Sequence, residues 1–235
     1  ILRSHEHCER VQDPYAVRCM PQVFGAVEQT LEHARQVLGA AANGVSDNPL
    51  IFGSDILSGG NFHAEPVGFV SDYLAIAVAE LASISERRID LLDRRVNPNL
   101  NMFLATEPGL ESGFMMAHVT AAALVSENKT LAHPASVDSL PTSAGQEDHV
   151  SMAPWAGRKL LSVCANTSTV LGIELLAAAH AVDAMQPLTT TPELQRVQAL
   201  IRGHVTLRNH DHRLDRDIET LARLVRAGAW SRFLD

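Results

Sequence analysis

From Pro21 onward, apolar residues recur along the chain at steps of three and four. Val23, Ala26, Val27, Leu31, Ala34, Val37, Leu38 and Ala41 form the first series, the spacing of one buried helical face. Pro21 suits the first turn of that helix and Gly44 its stop. A second series, Pro66 to about Arg95, runs through Phe69, Tyr73, Ile76, Ala77, Leu81, Ile84, Leu91 and Leu92. Its later turns crowd Glu86, Arg87, Arg88, Asp93, Arg94 and Arg95, which reads as a solvated or subunit-facing face whose basic residues complement the helix dipole. Gly113–His133 predicts a third, alanine-rich helix in which Met115 and Met116 read as core filling. Pro154 to about Met185 is the longest pattern, with Gly172 inside it at a cost of about 1 kcal/mol relative to Ala. Two shorter helices, about Glu193–Leu207 and Leu214–Ala227, complete the chain. No segment alternates strictly, so the predicted class is all-α: a bundle of long antiparallel helices with chemically active loops at the helix ends, one unit over residues 1–235.

Three connecting stretches concentrate reactive side chains. Val11–Pro21 carries Gln12, Tyr15 and Arg18: a phenol that can take a proton when positive charge lies near it, and a guanidinium suited to bidentate grip of a carboxylate. Val45–Phe62 reads as a loop or short ribbon, with Asp47-Asn48-Pro49 and Ser58-Gly59-Gly60-Asn61 as turn signals. The backbone freedom of Gly59 and Gly60 is expected to bring Phe62 close to a ligand, although the local pattern alone also describes an ordinary hairpin. Ser139–Pro154 places an amide, two carboxylates and an imidazole at Gln146, Glu147, Asp148 and His149. Alone, that composition describes a solvated turn. Taken together, the three stretches suggest proton chemistry on a small carboxylate-bearing molecule, with Glu147 facing a nitrogen heterocycle.

Composition narrows the field. With 235 residues, 46% of them hydrophobic, the chain can bury a sizeable core. Its net charge of −8 and lack of a dense basic cluster argue against nucleic acid as a partner. Cys8, Cys19 and Cys164 form no C-x-x-C pair, and an odd number is a poor basis for a disulfide framework, so a reducing cytoplasm is the expected setting. The His5/His7/Cys8 group matches no zinc spacing and no metal site is expected; His204, His210 and His212 read as surface residues. No signal peptide or bilayer-spanning run is read, and no membrane partner is expected. The first residue is Ile1, which fits a fragment or a processed chain.

Five stretches resemble the histidine ammonia-lyases, in the order in which that family has them. They are Val11-Gln12-Asp13-Pro14-Tyr15-Ala16-Val17-Arg18-Cys19; Val45-Ser46-Asp47-Asn48-Pro49-Leu50; Ser58-Gly59-Gly60-Asn61-Phe62-His63-Ala64-Glu65-Pro66; Ser126-Glu127-Asn128-Lys129; and Asp138–Ser143 with Gln146–Met152. The resemblance implies elimination of ammonia from L-histidine to give trans-urocanate, through an electrophilic methylidene-imidazolone made from an internal Ala-Ser-Gly. It implies Tyr15 as the base for the β-proton and Arg18 as the holder of the substrate carboxylate. Gln12 and Asn48 would complete the polar shell, Phe62 would pack against the prosthetic group, and Glu147, with Gln146 beside it, would meet the substrate imidazole.

One departure matters as much as the match. Ala-Ser-Gly does not occur in this chain; the nearest strings are Leu57-Ser58-Gly59, Glu111-Ser112-Gly113 and Ala135-Ser136-Val137. The motifs belong to the family's C-terminal half, so the expectation is the C-terminal part of such an enzyme. It would be inactive without the N-terminal half that carries the prosthetic group, and would work in a homotetramer-type assembly. Two alternatives stand beside it: a catalytically dead helical assembly or regulatory module, and a related lyase or aminomutase acting on tyrosine or phenylalanine.

Overall fold

The computed structural model describes residues 11–233; the His5/His7/Cys8 group lies outside them. A four-residue turn of helix, α1 (Tyr15–Arg18), follows Pro14, and α2 (Met20–Asn43) begins almost at once with Pro21 in its first turn and ends at Gly44. Strands β1 (Leu50–Phe52) and β2 (Asp55–Leu57) form a hairpin with Phe52 opposite Asp55, its turn made by Gly53 at φ +61°. A 3-10 turn at Asn61–His63 leads into α3 (Glu65–Asp93). Then come α4 (Met115–Leu131), α5 (Ala153–Ala184), α6 (Pro192–His204) and α7 (Asp215–Arg226). Pro66, Pro154 and Pro192 each sit in a first turn, where the missing N–H has no intrahelical partner to lose. Thr191 caps α6 by accepting a hydrogen bond from the Leu194 amide at 3.4 Å. The chain is an all-α bundle with one small hairpin.

Successive long helices alternate in direction, which makes α3 and α5 run the same way. Gly68 abuts Ala153, Asp72 pairs with Lys159, the Val78 carbonyl accepts from Thr167 and Ser85 donates to Glu174. Around this pair, Ala82, Ile89, Phe114, Ala121, Val170, Ile173, Leu176 and Leu221 form a continuous buried core. Each large aliphatic side chain so buried contributes about 1.5–3 kcal/mol. Gly172 has a specific reason: a Cβ there would lie 2.9 Å from the Ala222 amide and 3.0 Å from the Ile218 carbonyl. Its absence lets α7 lie directly on α5, which offsets the helix-propensity cost.

Three sequence expectations change. Met116 is 58% exposed rather than core filling. Two helical stretches, 61–93 and 153–184, are long and apolar enough to cross a membrane, although no spanning run was read from the sequence; they pack on each other through the core and also carry exposed apolar residues such as Phe69, Ile76 and Leu161. The charged end of α3 is also not simply a solvated face. Glu86 and Asp93 are buried, with His118 of α4 reaching Glu86 at 2.8 Å and Asp93 at 3.4 Å. Arg87 also pairs with Glu86, while Arg88 pairs with Glu174 of α5. Arg94, by contrast, points outward beside Asp90 at 2.7 Å.

Burial pushes the Asp93 carboxyl up to about 6, with repulsion from Asp90 adding to the effect and His118 opposing it. The folded chain therefore holds a proton that the unfolded chain has released, and stability falls as pH rises from about 4 to about 6. At about 1.4 kcal/mol per pH unit this amounts to about 3 kcal/mol. Asp93→Asn is expected to abolish that slope and gain up to about 3 kcal/mol above pH 7. Denaturant unfolding of both proteins between pH 4 and 8 checks this, and parallel pH profiles would rule it out.

Candidate active site

Tyr15 and Arg18 stand one helical turn apart on α1, so both project from one face. The Arg18 guanidinium lies 4.8 Å from the centre of the Tyr15 ring, a cation–π separation that places positive charge beside the phenol. Arg18 Nε also donates to the Asp13 carbonyl at 3.4 Å. Tyr15 is 69% exposed, and Gln12, three residues before it, is exposed as well. These groups are presented outward and are not spent on the core. α1 packs on both α2 and α3, which fixes its position.

The hairpin stretch is organised by Asn48. Its Oδ1 accepts from the Gly59 amide at 2.9 Å and from Ser58 Oγ at 3.2 Å, closing the loop, while Nδ2 makes no hydrogen bond among the described residues. Asn61 Nδ2 donates to the Val45 carbonyl at 2.8 Å, a second tie across the same loop. Phe62 is left 55% exposed. Gly60 sits at φ −125°, and Ala64, at φ +62°, makes the sharp entry into α3.

The third stretch is a tight loop. The Thr142 amide donates to the Glu147 carbonyl at 2.9 Å and the Glu147 amide returns to Thr142 at 3.3 Å. Between them, Ser143, Ala144 and Gly145 all have left-handed backbone, at φ +50°, +57° and +84°. Two of the three carry side chains that disfavour it, so the loop holds strain in order to present Gln146 and Glu147. Glu147 emerges exposed, its Oε2 accepting from Thr142 Oγ1 at 2.5 Å. Hydrogen bonds from Thr142 and then Ser143 hold its carboxyl below the usual range, so it is ionised throughout the neutral region. Gln146 beside it is exposed and forms no hydrogen bond through its side chain among the described residues.

Two of the three stretches are brought together. Ser151 Oγ donates to the His63 carbonyl at 2.6 Å, and His63 Nε2 lies 3.0 Å from the His149 carbonyl. Because His63 follows Phe62 and His149 follows Glu147 by two, these contacts join the segments that carry the aromatic ring and the carboxylate. Sequence reasoning gave His63 and Ser151 no role, beyond their lying within a motif, and named His149 only as the imidazole of the polar cluster. Among the described residues, no hydrogen bond or ion pair links Tyr15, Arg18 or Gln12 to Phe62 or Glu147. An apolar groove of about 780 Å³ runs elsewhere, between α2 and α3, lined by Val23, Thr30, His33, Tyr73 and Ile76 among others. None of the seven candidate residues lines it.

Behind the Glu147 loop lies its anchor. Lys159 of α5, 2% exposed, pairs with Asp72 of α3, 4% exposed, at 2.5 Å, and also donates to the His133 carbonyl. Asp72 accepts from the Ser136 amide at 2.7 Å. Burial opposes ionisation of Asp72, but the hydrogen bonds from Lys159 and Ser136 outweigh it and hold the carboxyl below its ordinary range. Two helices and the turn that leads to residue 139 are thereby tied at one buried point. At the neck of the loop, the Val150 amide donates to Ser139 Oγ at 2.9 Å.

The arrangement matches known proteins over nearly its whole length. Residues 1–203 match the family model described as aromatic amino acid lyase. A histidine ammonia-lyase of Burkholderia ambifaria is 56% identical over 234 residues, covering 99% of this chain and 46% of that protein. The crystal structure of histidine ammonia-lyase from Trypanosoma cruzi superposes with a TM-score of 0.90 at 44% identity, over 94% of this chain and 44% of that one. Tyrosine aminomutase from Streptomyces globisporus gives 0.89 at 36% identity, over 99% and 46%. The chain spans about half the length of the curated relatives it matches. With the family model covering most of the sequence and the helical bundle reproduced in solved relatives, this chain belongs to the aromatic amino acid lyase family.

Proposed function

We propose that residues 1–235 are the C-terminal part of a histidine ammonia-lyase, which eliminates ammonia from L-histidine to give trans-urocanate once joined by an N-terminal part. The observation that supports this reading is the joining of the Phe62 and Glu147 segments through His63, His149 and Ser151, with Glu147 ionised and exposed. An exposed carboxylate has lone pairs for an imidazole N–H, whereas a plain phenyl ring offers it nothing to bind. The greater identity to histidine ammonia-lyases than to the tyrosine aminomutase supports the same substrate.

The family's methylidene-imidazolone is not encoded here, and the residues present fit a group brought by another segment. Asn48 keeps a donor uncommitted, Gln12 is exposed, and the Phe62 ring lies open to pack against a planar ring. When bound, the group supplies the electrophile that makes the elimination accessible. The chain's own residues do the rest. Arg18 grips the substrate carboxylate by paired hydrogen bonds. Tyr15, next to the Arg18 charge, takes the β-proton as the electron pair of that bond becomes the Cα–Cβ double bond and ammonia leaves with the Cα–N pair. Glu147 accepts from the imidazole and orients the β-carbon toward Tyr15.

This reading makes the chain inactive by itself and places it in a homotetramer-type assembly in the cytoplasm. Exposed apolar side chains on the long helices, Phe69, Ile76, Trp155 and Leu161 among them, support a need for further protein partners. Glu147→Gln in the assembled enzyme is expected to lower kcat/KM for histidine by about 10- to 100-fold, the worth of one charge-assisted hydrogen bond. Steady-state assay of urocanate formation measures it, and an unchanged value would remove Glu147 from the substrate site.

A further inference from the structure

Among the described residues, every hydrogen bond that ties the Glu147 loop to another part of the fold ends on His63. Within the stretch 139–151 the remaining bonds are internal, among them the paired amides of Thr142 and Glu147, Thr142 Oγ1 on the Glu147 carboxylate, and the Val150 amide on Ser139 Oγ at the neck. The bonds that leave the stretch cross 86 to 88 positions of sequence. His63 Nε2 lies 3.0 Å from the His149 carbonyl and 3.4 Å from His149 Nδ1, and the His63 carbonyl accepts from Ser151 Oγ at 2.6 Å. The two imidazole rings also stack, with centres 5.5 Å apart and planes 21° apart.

A carbonyl oxygen only accepts, so the 3.0 Å contact places a hydrogen on His63 Nε2 and makes that nitrogen the donor. Ser151 donates in the opposite sense, to the main chain of the same residue. Glu147 lies two residues before His149, and Phe62 lies directly before His63. Because the loop's own bonds join Thr142 to Glu147, the loop moves as a unit, and its attachments decide where that unit sits. The upstream attachment, the Ser136 amide on Asp72, lies before the neck; the downstream attachment is His63. A carboxylate that must meet one N–H of a small ring tolerates little displacement, since an error of about 1 Å can cost about a hundredfold in rate.

We propose that His63 is a positioning residue for substrate recognition, whose Nε2–H on the His149 carbonyl sets Glu147 to meet the substrate imidazole. It acts through Glu147 and takes no part in the proton transfer. The inference rests on the histidine-elimination reading and adds to it the residue that fixes the recognition loop against the Phe62 segment. Neither motif shows this by itself, because the donor lies in one and its acceptor in the other.

The test uses this chain assembled with a separate N-terminal lyase half that contains Ala-Ser-Gly, with urocanate formation measured per folded assembly over a range of histidine concentrations. His63→Phe retains a ring and removes the donor, and is expected to lower kcat/KM about 10- to 100-fold. His63→Gln offers an amide donor near the same position and is expected to stay within about threefold of wild type. In a Glu147→Gln background, His63→Phe is expected to cost less than about threefold more, whereas a residue acting independently of Glu147 would show its full loss again. Circular dichroism reports folding, and Ser151→Ala, which removes only the second tie, carries the same non-additive expectation where His63→Phe does not fold. Wild-type rates in both His63→Phe and Ser151→Ala, a His63→Gln variant no better than His63→Phe, or an equal fold-loss with and without Glu147→Gln overturns the positioning role alone. No urocanate from the wild-type pair overturns the elimination reading, and this inference with it.

Discussion

In the enzyme assembled from both halves, Tyr15→Phe is expected to lower kcat for ammonia elimination from L-histidine by about a hundred- to ten-thousand-fold, the usual worth of a positioned general base. The substitution removes one oxygen and leaves the ring. The cation–π contact with Arg18 at 4.8 Å is therefore retained, α1 keeps its place on α2 and α3, and Arg18 can still hold the carboxylate. The loss should accordingly appear in kcat with KM little changed, the pattern of an interaction made in the transition state rather than in substrate binding. Urocanate formation over a range of histidine concentrations separates the two. A kcat within about threefold of wild type would assign the proton to another group.

The largest effect on stability is expected at Lys159. Lys159→Met keeps the aliphatic stem but leaves the buried Asp72 carboxylate without its cation and the His133 carbonyl without its donor. Removing one member of a buried pair costs about 3–5 kcal/mol, a drop in Tm on the order of 10 °C for a chain of this size. The sign with pH follows from Asp72, whose carboxyl is held below its ordinary range. The stability it contributes is present at neutral pH and is lost as acid protonates it. The variant's deficit should therefore shrink as pH falls below the ordinary carboxylate range. Thermal unfolding by circular dichroism at neutral and acid pH measures both effects. A deficit below about 1 kcal/mol at neutral pH would show that the pair is dispensable. Because the same point anchors the turn before residue 139, the Glu147 loop should lose order with it.

The helices were legible because their starts carry a chemical mark. Pro21, Pro66, Pro154 and Pro192 each fall in a first turn, and a helical apolar period follows each. α1 was not legible, since four residues are too few to show a period. The charged end of α3 was misread for a related reason: polarity along one helix says nothing about what lies opposite. Glu86 and Asp93 are buried against His118, and Arg88 against Glu174, partners that only the fold supplies.

The site divides in the same way. Tyr15 and Arg18 could be read together because both lie within one turn. Asn48, Phe62 and Glu147 could be named from motifs, but the link between the last two runs through His63, His149 and Ser151, some 86 to 88 positions apart. Left-handed backbone falls at Ala64, at the entry to α3. Sequence composition cannot show a left-handed alanine, because such a residue is held there by its surroundings at a cost of about 1 kcal/mol or more.

The most direct measurement is co-expression of this chain with a separate N-terminal lyase half that contains Ala-Ser-Gly, followed by assay of L-histidine for urocanate by ultraviolet absorbance. Urocanate is expected from the paired halves and none from the 235-residue chain alone. A folded, assembled pair containing Ala-Ser-Gly that releases no urocanate from histidine would contradict the assignment.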